Sequence, residues 1–381
     1  GSGSGLFNSR NVGVSSELSF PKFIDYSGIF SLMNTLRVIP DKRYEKLLET
    51  ATTKMKVGFD YVSYVDFYDS YAAEAAFGYN IIPDDRWRIQ FTQTGISYFN
   101  QDAKPAFDTI LVTNPFFQNS FGPRLFTGFL MRDIQATFTD KNQKYGEDWS
   151  LRIFGEVSGM EELLFNVAIS PNKEWRLRDT LEFAHFVKFE LESQYTKAFS
   201  PKQSLALRGI VGVATPYGRF ARTTPYVKQF FVGGPNSIRA WSIRQLGPGS
   251  YNDPQSSDPD NNLPFYQTGD IKMEASLEYR FDMFWYFEGA MFLDVGNVWL
   301  LEEDSRVGSS ISKDFWRQFA VGTGFGLRLD FSYFIFRFDL GYPLRNNFPS
   351  ATGRYWRNPQ YNTFKEFRKD FNFNLAIGYP F

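Results

Sequence analysis

The chain has no cysteine and only one histidine, His185, in 381 residues. The first absence excludes disulfides, thiolate metal sites, a cysteine nucleophile and a lipid-bearing cysteine within this stretch. The second removes a zinc site built from histidine ligands. No run of about 18 apolar residues occurs, so no helix crosses a membrane. No basic start followed by an apolar stretch marks a signal peptide, which reads as a mature form or a fragment. A net charge of -1 gives no electrostatic case for nucleic acid. Gly1-Ser2-Gly3-Ser4-Gly5 reads as a flexible stretch.

What is abundant is aromatic: 43 Phe, 21 Tyr and 8 Trp, in a chain whose mean hydropathy is still hydrophilic at -0.34. A membrane β-barrel reconciles the two, because its strands alternate apolar-out with polar-in and average near neutral. The alternation is visible. Phe371, Phe373, Leu375, Ile377, Tyr379 and Phe381 share one face of a terminal run, opposite Asn372, Asn374, Ala376, Gly378 and Pro380. Ile271, Met273, Ala275, Leu277, Tyr279 and Phe281 alternate with Lys272, Glu274, Ser276, Glu278 and Arg280. Met55, Val57, Phe59 and Tyr61 behave likewise, as do Val187, Phe189 and Leu191, and Phe334, Phe336, Phe338, Leu340 and Tyr342.

Such segments predict about fourteen strands, many at the ~9–11 residues that span a membrane. They fall at 11–23, 52–68, 71–83, 85–100, 127–141, 147–159, 184–199, 203–217, 222–232, 270–281, 286–299, 319–330, 333–344 and 370–381. A soluble sandwich would use strands of about 5–6 residues, so the all-β, transmembrane antiparallel β-barrel is the expected fold. Short turns near Ile82-Pro83-Asp84-Asp85 and Ser200-Pro201-Lys202-Gln203 contrast with long polar connections at Asp102–Pro123, Glu161–Asp179, Asp253–Pro264, Glu302–Asp314 and Arg345–Lys369. Within these, Asp253 to Asn262 lacks the ordered ligand spacing of a calcium loop and reads as a solvated tip.

One connection is unusual. Gly233 to Tyr251 sets Ile238, Arg239, Trp241, Ile243 and Leu246 between Gly-Gly-Pro and Gly-Pro-Gly turn signals. So many apolar side chains predict a loop of fixed shape that packs against something. Gly322, Gly324 and Gly326 share the inward face of a later strand, and bare glycines inside a strand mark close approach of another backbone. The expectation is that the loop over 233–269 folds inward against them. Arg239 then needs carboxylates, since a lone buried guanidinium is unfavourable. Strand parity places Glu278, Asp294 and Phe292 inward on the next two strands, offering bidentate hydrogen bonds and a stacked ring.

Enzymatic readings fare worse. A barrel hydrolase depends on His185, which sits among aromatics in Phe183-Ala184-His185-Phe186 and reads as structural. Gly322-Thr323-Gly324-Phe325-Gly326 lies inside a strand pattern without a following helix or Lys-Ser/Thr, so it is no phosphate loop. Paired carboxylates suit a glycosidase, but no sugar cleft is indicated.

Ile238-Arg239-Ala240-Trp241 resembles the Val/Ile-Arg-Gly-Phe/Tyr loop tip of the outer-membrane assembly-factor superfamily that includes BamA, TamA, TamL and the two-partner secretion transporters. Ala240 and Trp241 depart from that pattern; Arg239 keeps it. Ser276-Leu277-Glu278-Tyr279 and Phe292-Leu293-Asp294-Val295-Gly296-Asn297-Val298-Trp299 look like the family's twelfth- and thirteenth-strand motifs. The run of Phe371, Phe373, Leu375, Ile377, Gly378, Tyr379, Pro380 and Phe381 looks like its C-terminal signal and gate. The longer loop string looks most like TamL of Bacteroidota. The resemblance implies a sixteen-strand barrel with about fourteen strands readable here, the first two and the preceding POTRA domains being expected to be missing. It implies no cofactor, no metal and no catalysis. It further implies a lateral gate between first and last strands, through which outer-membrane proteins are assembled, inserted or translocated. The implied partners are outer-membrane lipids, unfolded β-barrel clients and a TamB-like periplasm-spanning protein or outer-membrane lipoproteins. A polypeptide export channel or an envelope lipid-transport component is the alternative.

Overall fold

The computed structural model describes residues 9–381 apart from 65–67, 106–121, 143–145, 170–175, 178–180, 219, 220, 222, 253–266, 332, 359 and 360. The stretch Gly1 to Gly5 and the solvated tip Asp253 to Asn262 lie outside the described residues.

The architecture is all-β, and the long strand pairings are antiparallel. Sixteen strands are described. The first seven are β1 (Ser9–Phe20), β2 (Thr52–Tyr64), β3 (Tyr68–Ile81), β4 (Trp87–Ala103), β5 (Arg124–Gly128), β6 (Asp133–Asn142) and β7 (Glu147–Ser158). Two short strands follow, β8 (Arg176–Leu177) and β9 (Leu181–Phe183), then β10 (Phe186–Ser200) and β11 (Gln203–Pro216). The last five are β12 (Ile271–Phe284), β13 (Phe287–Trp299), β14 (Ala320–Asp330), β15 (Ile335–Arg345) and β16 (Asn372–Ile377). Four helices lie in connections: α1 (Ile29–Thr35), α2 (Asp41–Thr50), α3 (Met160–Ile169) and α4 (Phe364–Lys369).

Thirteen of the fourteen predicted spans coincide with strands, because period-two alternation persists wherever one face is apolar and the other polar. The span 222–232 is a correction: it holds a 3-10 turn at Tyr226–Lys228. Pro225 has no N–H for a ladder, and Phe230 and Val232 bury in a loop core instead. A second correction is the last strand, which stops at Ile377. Gly378 turns to φ 89 there, in the left-handed region that glycine adopts freely. Helices α1 to α4 also replace what alternation alone leaves as plain connections. Among the described residues eight strands of the continuous path precede the loop, against about nine read from the sequence, and the short β5, β8 and β9 lie off that path.

The chain divides into two compact units. The first comprises residues 1–138, 153–189 and 215–227. Its strands run β1-β2-β3-β4-β6-β7. The segment carrying α1 and α2 packs on Tyr79, which is buried with Phe23 and Ala51 against Phe30, Leu47, Phe77 and Phe91. The Tyr79 hydroxyl lies 2.9 Å from the Ile24 carbonyl and 3.0 Å from Gln93 Oε1. A second cluster joins Phe126, Ala184 and Phe186. His185 sits beside it, its Nε2 bonded to Glu162 of α3 and its ring edge-on to Tyr217 at 5.9 Å.

The second unit comprises residues 139–152, 190–214 and 228–381. Its order is β10-β11-β12-β13-β14-β15-β16. Leu277, Met291, Leu293, Phe325, Leu340, Phe373, Leu375 and Ile377 are exposed on one face. Glu278, Phe292, Asp294, Arg328, Arg337 and Asp339 are buried on the other.

Replacing Tyr79 by Phe removes both hydroxyl contacts and leaves buried oxygens unmatched, a loss of about 2 kcal/mol. Amide exchange over residues 23–30 should then accelerate, with β12 and β13 unchanged.

Candidate functional site

Register builds the site. Across the buried face of the second unit, successive pairings align Ala206, Glu278, Phe292, Gly324, Gly341 and Asn372 in one row over six strands. The row on one side holds Arg208, Ser276, Asp294 and Gly322. The row on the other holds Ser204, Arg280, Ala290, Gly326, Asp339 and Asn374. Acid, ring and bare backbone thus lie side by side, although far apart in sequence.

The loop tip lies over these rows. Gly233 and Gly234 adopt φ 98 and 89, so the chain turns where L side chains would strain. Ile238 is fully buried with Phe230, Val232, Leu246, Val298, Ala214 and Ala320, and Trp241 packs against them. Ile243 does not join this core and is half exposed. Polar ties fix the loop's second turn. The Asn297 side chain donates to the Gly249 carbonyl at 2.8 Å and to the Gln318 carbonyl at 2.7 Å, and Asn347 reaches Gly249 at 2.8 Å.

Arg239 is 0 % exposed. Its Nε and Nη2 each lie 2.9 Å from an Asp294 oxygen, the planar fork matching the carboxylate edge. Its Nη1 donates to Glu278, and its backbone N–H donates to Asp294 at 3.0 Å. The guanidinium carbon sits 3.6 Å from the centre of the Phe292 ring. Arg328 Nη2 shares the same Glu278 oxygen at 2.9 Å. Asp339 lies 3.4 Å from Arg328 and 3.2 Å from Arg337, close enough for charge attraction but without hydrogen-bond alignment. Three fully buried guanidiniums therefore face three fully buried carboxylates, and each charge has a partner of opposite sign. In a low-dielectric interior such balance is required, since desolvating one ion alone costs several kcal/mol.

The structure brings Ile238, Arg239, Ala240, Glu278, Phe292 and Asp294 together, with Trp241 alongside. It divides the three glycines. Only Gly322 faces the loop: a Cβ there would collide with Ala240 and lie 3.2 Å from the Trp241 ring. Gly324 makes room for the Phe292 ring, and Gly326 for Arg328 and Asp339. The closest passage of the loop backbone is at Gly341, where a Cβ would sit 2.5 Å from the Arg239 carbonyl oxygen. Sequence reasoning missed Gly341, Arg280, Asn372 and Asn374. Their inward parity was readable, but their roles need the register of five strands.

The terminal run also divides. Phe373, Leu375 and Ile377 keep the outward face, and Phe371 is half-buried. Tyr379 and Phe381 leave it: the Arg280 guanidinium lies 4.5 Å from the Tyr379 ring and 5.6 Å from the Phe381 ring. The cause is the left-handed turn at Gly378, after which alternation no longer dictates facing. Pro380 is buried.

The Omp85 superfamily domain matches residues 7–381. Among solved structures, BamA from Haemophilus ducreyi lacking POTRA domains 1-3 aligns with a TM-score of 0.54 at 14% identity, over 97% of this chain and 62% of that one. The likeness is one of fold. CdiB from Escherichia coli aligns with a TM-score of 0.47 at 13% identity, over 78% of this chain and 47% of that one. No curated protein matches in sequence.

Arg239→Lys keeps the charge but not the fork or the stacked plane, and should destabilise the second unit by about 1.5–3 kcal/mol, the worth of a charge-assisted hydrogen bond. The midpoint of heat-induced mobility change in detergent gels reads it. Gly341→Val should expel the tip, seen as faster amide exchange over 236–246 with Glu278 and Asp294 intact.

Proposed function

We propose a function from one premise: this chain belongs to the Omp85 superfamily. It is an integral protein of the bacterial outer membrane. Membership supports outer-membrane protein assembly or secretion-type transport, and of these we favour assembly. The observation that carries the choice is Arg239, fully buried and bound to Glu278, Asp294 and Phe292. A loop held that firmly against strand interiors suits a factor that is closed at rest better than a steadily open export channel. The work would then be done at a strand edge. An edge strand presents unpaired N–H and C=O groups that can template an incoming strand, and β16 pairs on one side only among the described residues. In this reading a client's strand adds there, at a gate between the first and last strands, and its own folding supplies the driving force. The clients are unfolded β-barrel proteins. The Gly233 to Tyr251 string favours a TamL-type factor of Bacteroidota, working with a TamB-like bridging protein or with outer-membrane lipoproteins.

The test uses the full-length protein reconstituted in vesicles and offered a urea-unfolded β-barrel protein. Protease-protected, heat-modifiable client should accumulate faster than with empty vesicles, and Arg239→Ala should lose the gain. Equal rates in all three, together with large steady conductance in planar bilayers, would replace assembly by export.

A further inference from the structure

The last strand is held by more than its ladder. β16 pairs with β15 only from Gly341↔Asn372 to Phe336↔Ile377, six positions against ten or more for the preceding pairs. Its inward side chains make up the difference. Asn372 and Asn374 each donate an amide N–H to the carbonyl oxygen of Arg239, both at 2.9 Å. A carbonyl oxygen has two lone pairs, so this one is filled. The Ser242 hydroxyl of the same loop donates to Asn372 Oδ1 at 3.0 Å. Asn374 is 8% exposed, so water does not readily replace its bond.

Beyond the strand, a second tie reaches the same residue by another route. Arg280 donates from Nη2 to the Phe381 carbonyl oxygen at 3.2 Å while its plane covers the Tyr379 ring. Its Nε donates to Glu278 Oε1 at 2.7 Å, and the other Glu278 oxygen receives Arg239. Arg239 is therefore bound on two sides. Its N–H and guanidinium belong to β12 and β13, and its carbonyl belongs to β16. The carbonyl reaches β16 because Gly341 on β15 has no side chain in the way.

We propose that Asn372 and Asn374, backed by Arg280, are a latch that joins the last strand to the loop tip, so that loop displacement and loosening of β16 are one event. The two asparagines are positioning residues that act through Arg239. The inference rests on the assembly reading above and adds its regulation: a client able to displace the loop tip from β16 loosens the strand it then pairs with. Burial explains why amides serve here. They are neutral, so they add no charge to the buried network around Glu278 and Asp294, and each exchanges one partner for another without an ion having to be desolvated.

Two experiments on the full-length protein in vesicles test the latch. In the first, Asn372→Leu with Asn374→Leu keeps side-chain size but removes both donors. Amide exchange over 372–377 should rise about tenfold, the worth of one to two buried hydrogen bonds, while 271–299 stays as in the wild type. Unchanged exchange in β16, or an equal rise throughout the second unit, overturns the proposal, because the amides are then idle or merely structural. The second experiment exploits the absence of cysteine. Ser242→Cys with Asn372→Cys places thiols where the two side chains now meet, and oxidation ties loop to strand. Client folding should stop on oxidation and return with reductant; folding indifferent to the crosslink overturns the coupling. If wild-type and reduced proteins both fail to fold clients, the assembly reading falls while the exchange result still decides whether the latch exists.

Discussion

A guanidinium cannot lie unpaired where water does not reach, and the second unit is arranged around that constraint. Arg239 has an exposure of 0 %, and it comes from a loop with no ladder of its own. The strands must therefore supply a counter-charge of the right shape at the right height. Asp294 supplies the matching edge, Glu278 a second charge, and Phe292 a ring face. Those three residues lie on two adjacent strands, in adjacent rows of the register. Once they are placed, the neighbouring strands are constrained in turn. The Phe292 ring needs Gly324, the tip needs Gly322, and the Arg239 carbonyl needs Gly341. Two strands, β14 and β15, give up three side chains so that one arginine can be enclosed.

Such an arrangement is weak evidence for stability. Buried ion pairs regain little more than their desolvation penalty, and apolar residues of similar volume often do as well. Their distinctive property is directional: an arginine fork accepts one orientation of a carboxylate, whereas an apolar contact accepts many. For an irregular loop that property matters more than total energy, because nothing else specifies where its backbone goes. The same logic explains Asn297 and Asn347 at the loop's second turn, where both amides converge on the Gly249 carbonyl. The apolar contacts of Ile238 and Leu246 hold the loop down; the polar ones decide its position.

Much of this is legible in the sequence, and the limit has a physical form. Alternation predicts strands well because it is local: Leu277 and Glu278 face opposite ways whatever lies beside them. Parity alone therefore assigned Glu278, Asp294 and Phe292 to the same interior as Arg239. Parity carries no information about register, however, and the division of labour among Gly322, Gly324 and Gly326 is a matter of register alone. Gly341, Asn372 and Asn374 were invisible as a group for the same reason, being 31 and 2 residues apart but adjacent only through the β15–β16 pairing. The helices failed for the opposite cause. In α2, Tyr44, Leu47 and Leu48 repeat at helical spacing, yet a chain already read by twos conceals a short stretch that repeats by nearly four.

The terminal run shows how far alternation can be trusted. From Phe371 to Phe381 every second residue is large and apolar, and nothing in the spacing separates the last two from the rest. Alternation assigns faces only while φ and ψ stay extended, and one residue in the left-handed region resets the direction of all that follow. Gly378, at φ 89, does this. Phe373, Leu375 and Ile377 keep the apolar exterior, while Tyr379 and Phe381 turn to a guanidinium. An aromatic ring suits both settings, since its body is largely apolar and its face attracts cations. The same residue type therefore continues the outer face as far as the glycine and serves the interior charge network beyond it. Arg280, which receives both rings and holds Glu278, makes the end of the chain's last strand part of the environment of Arg239.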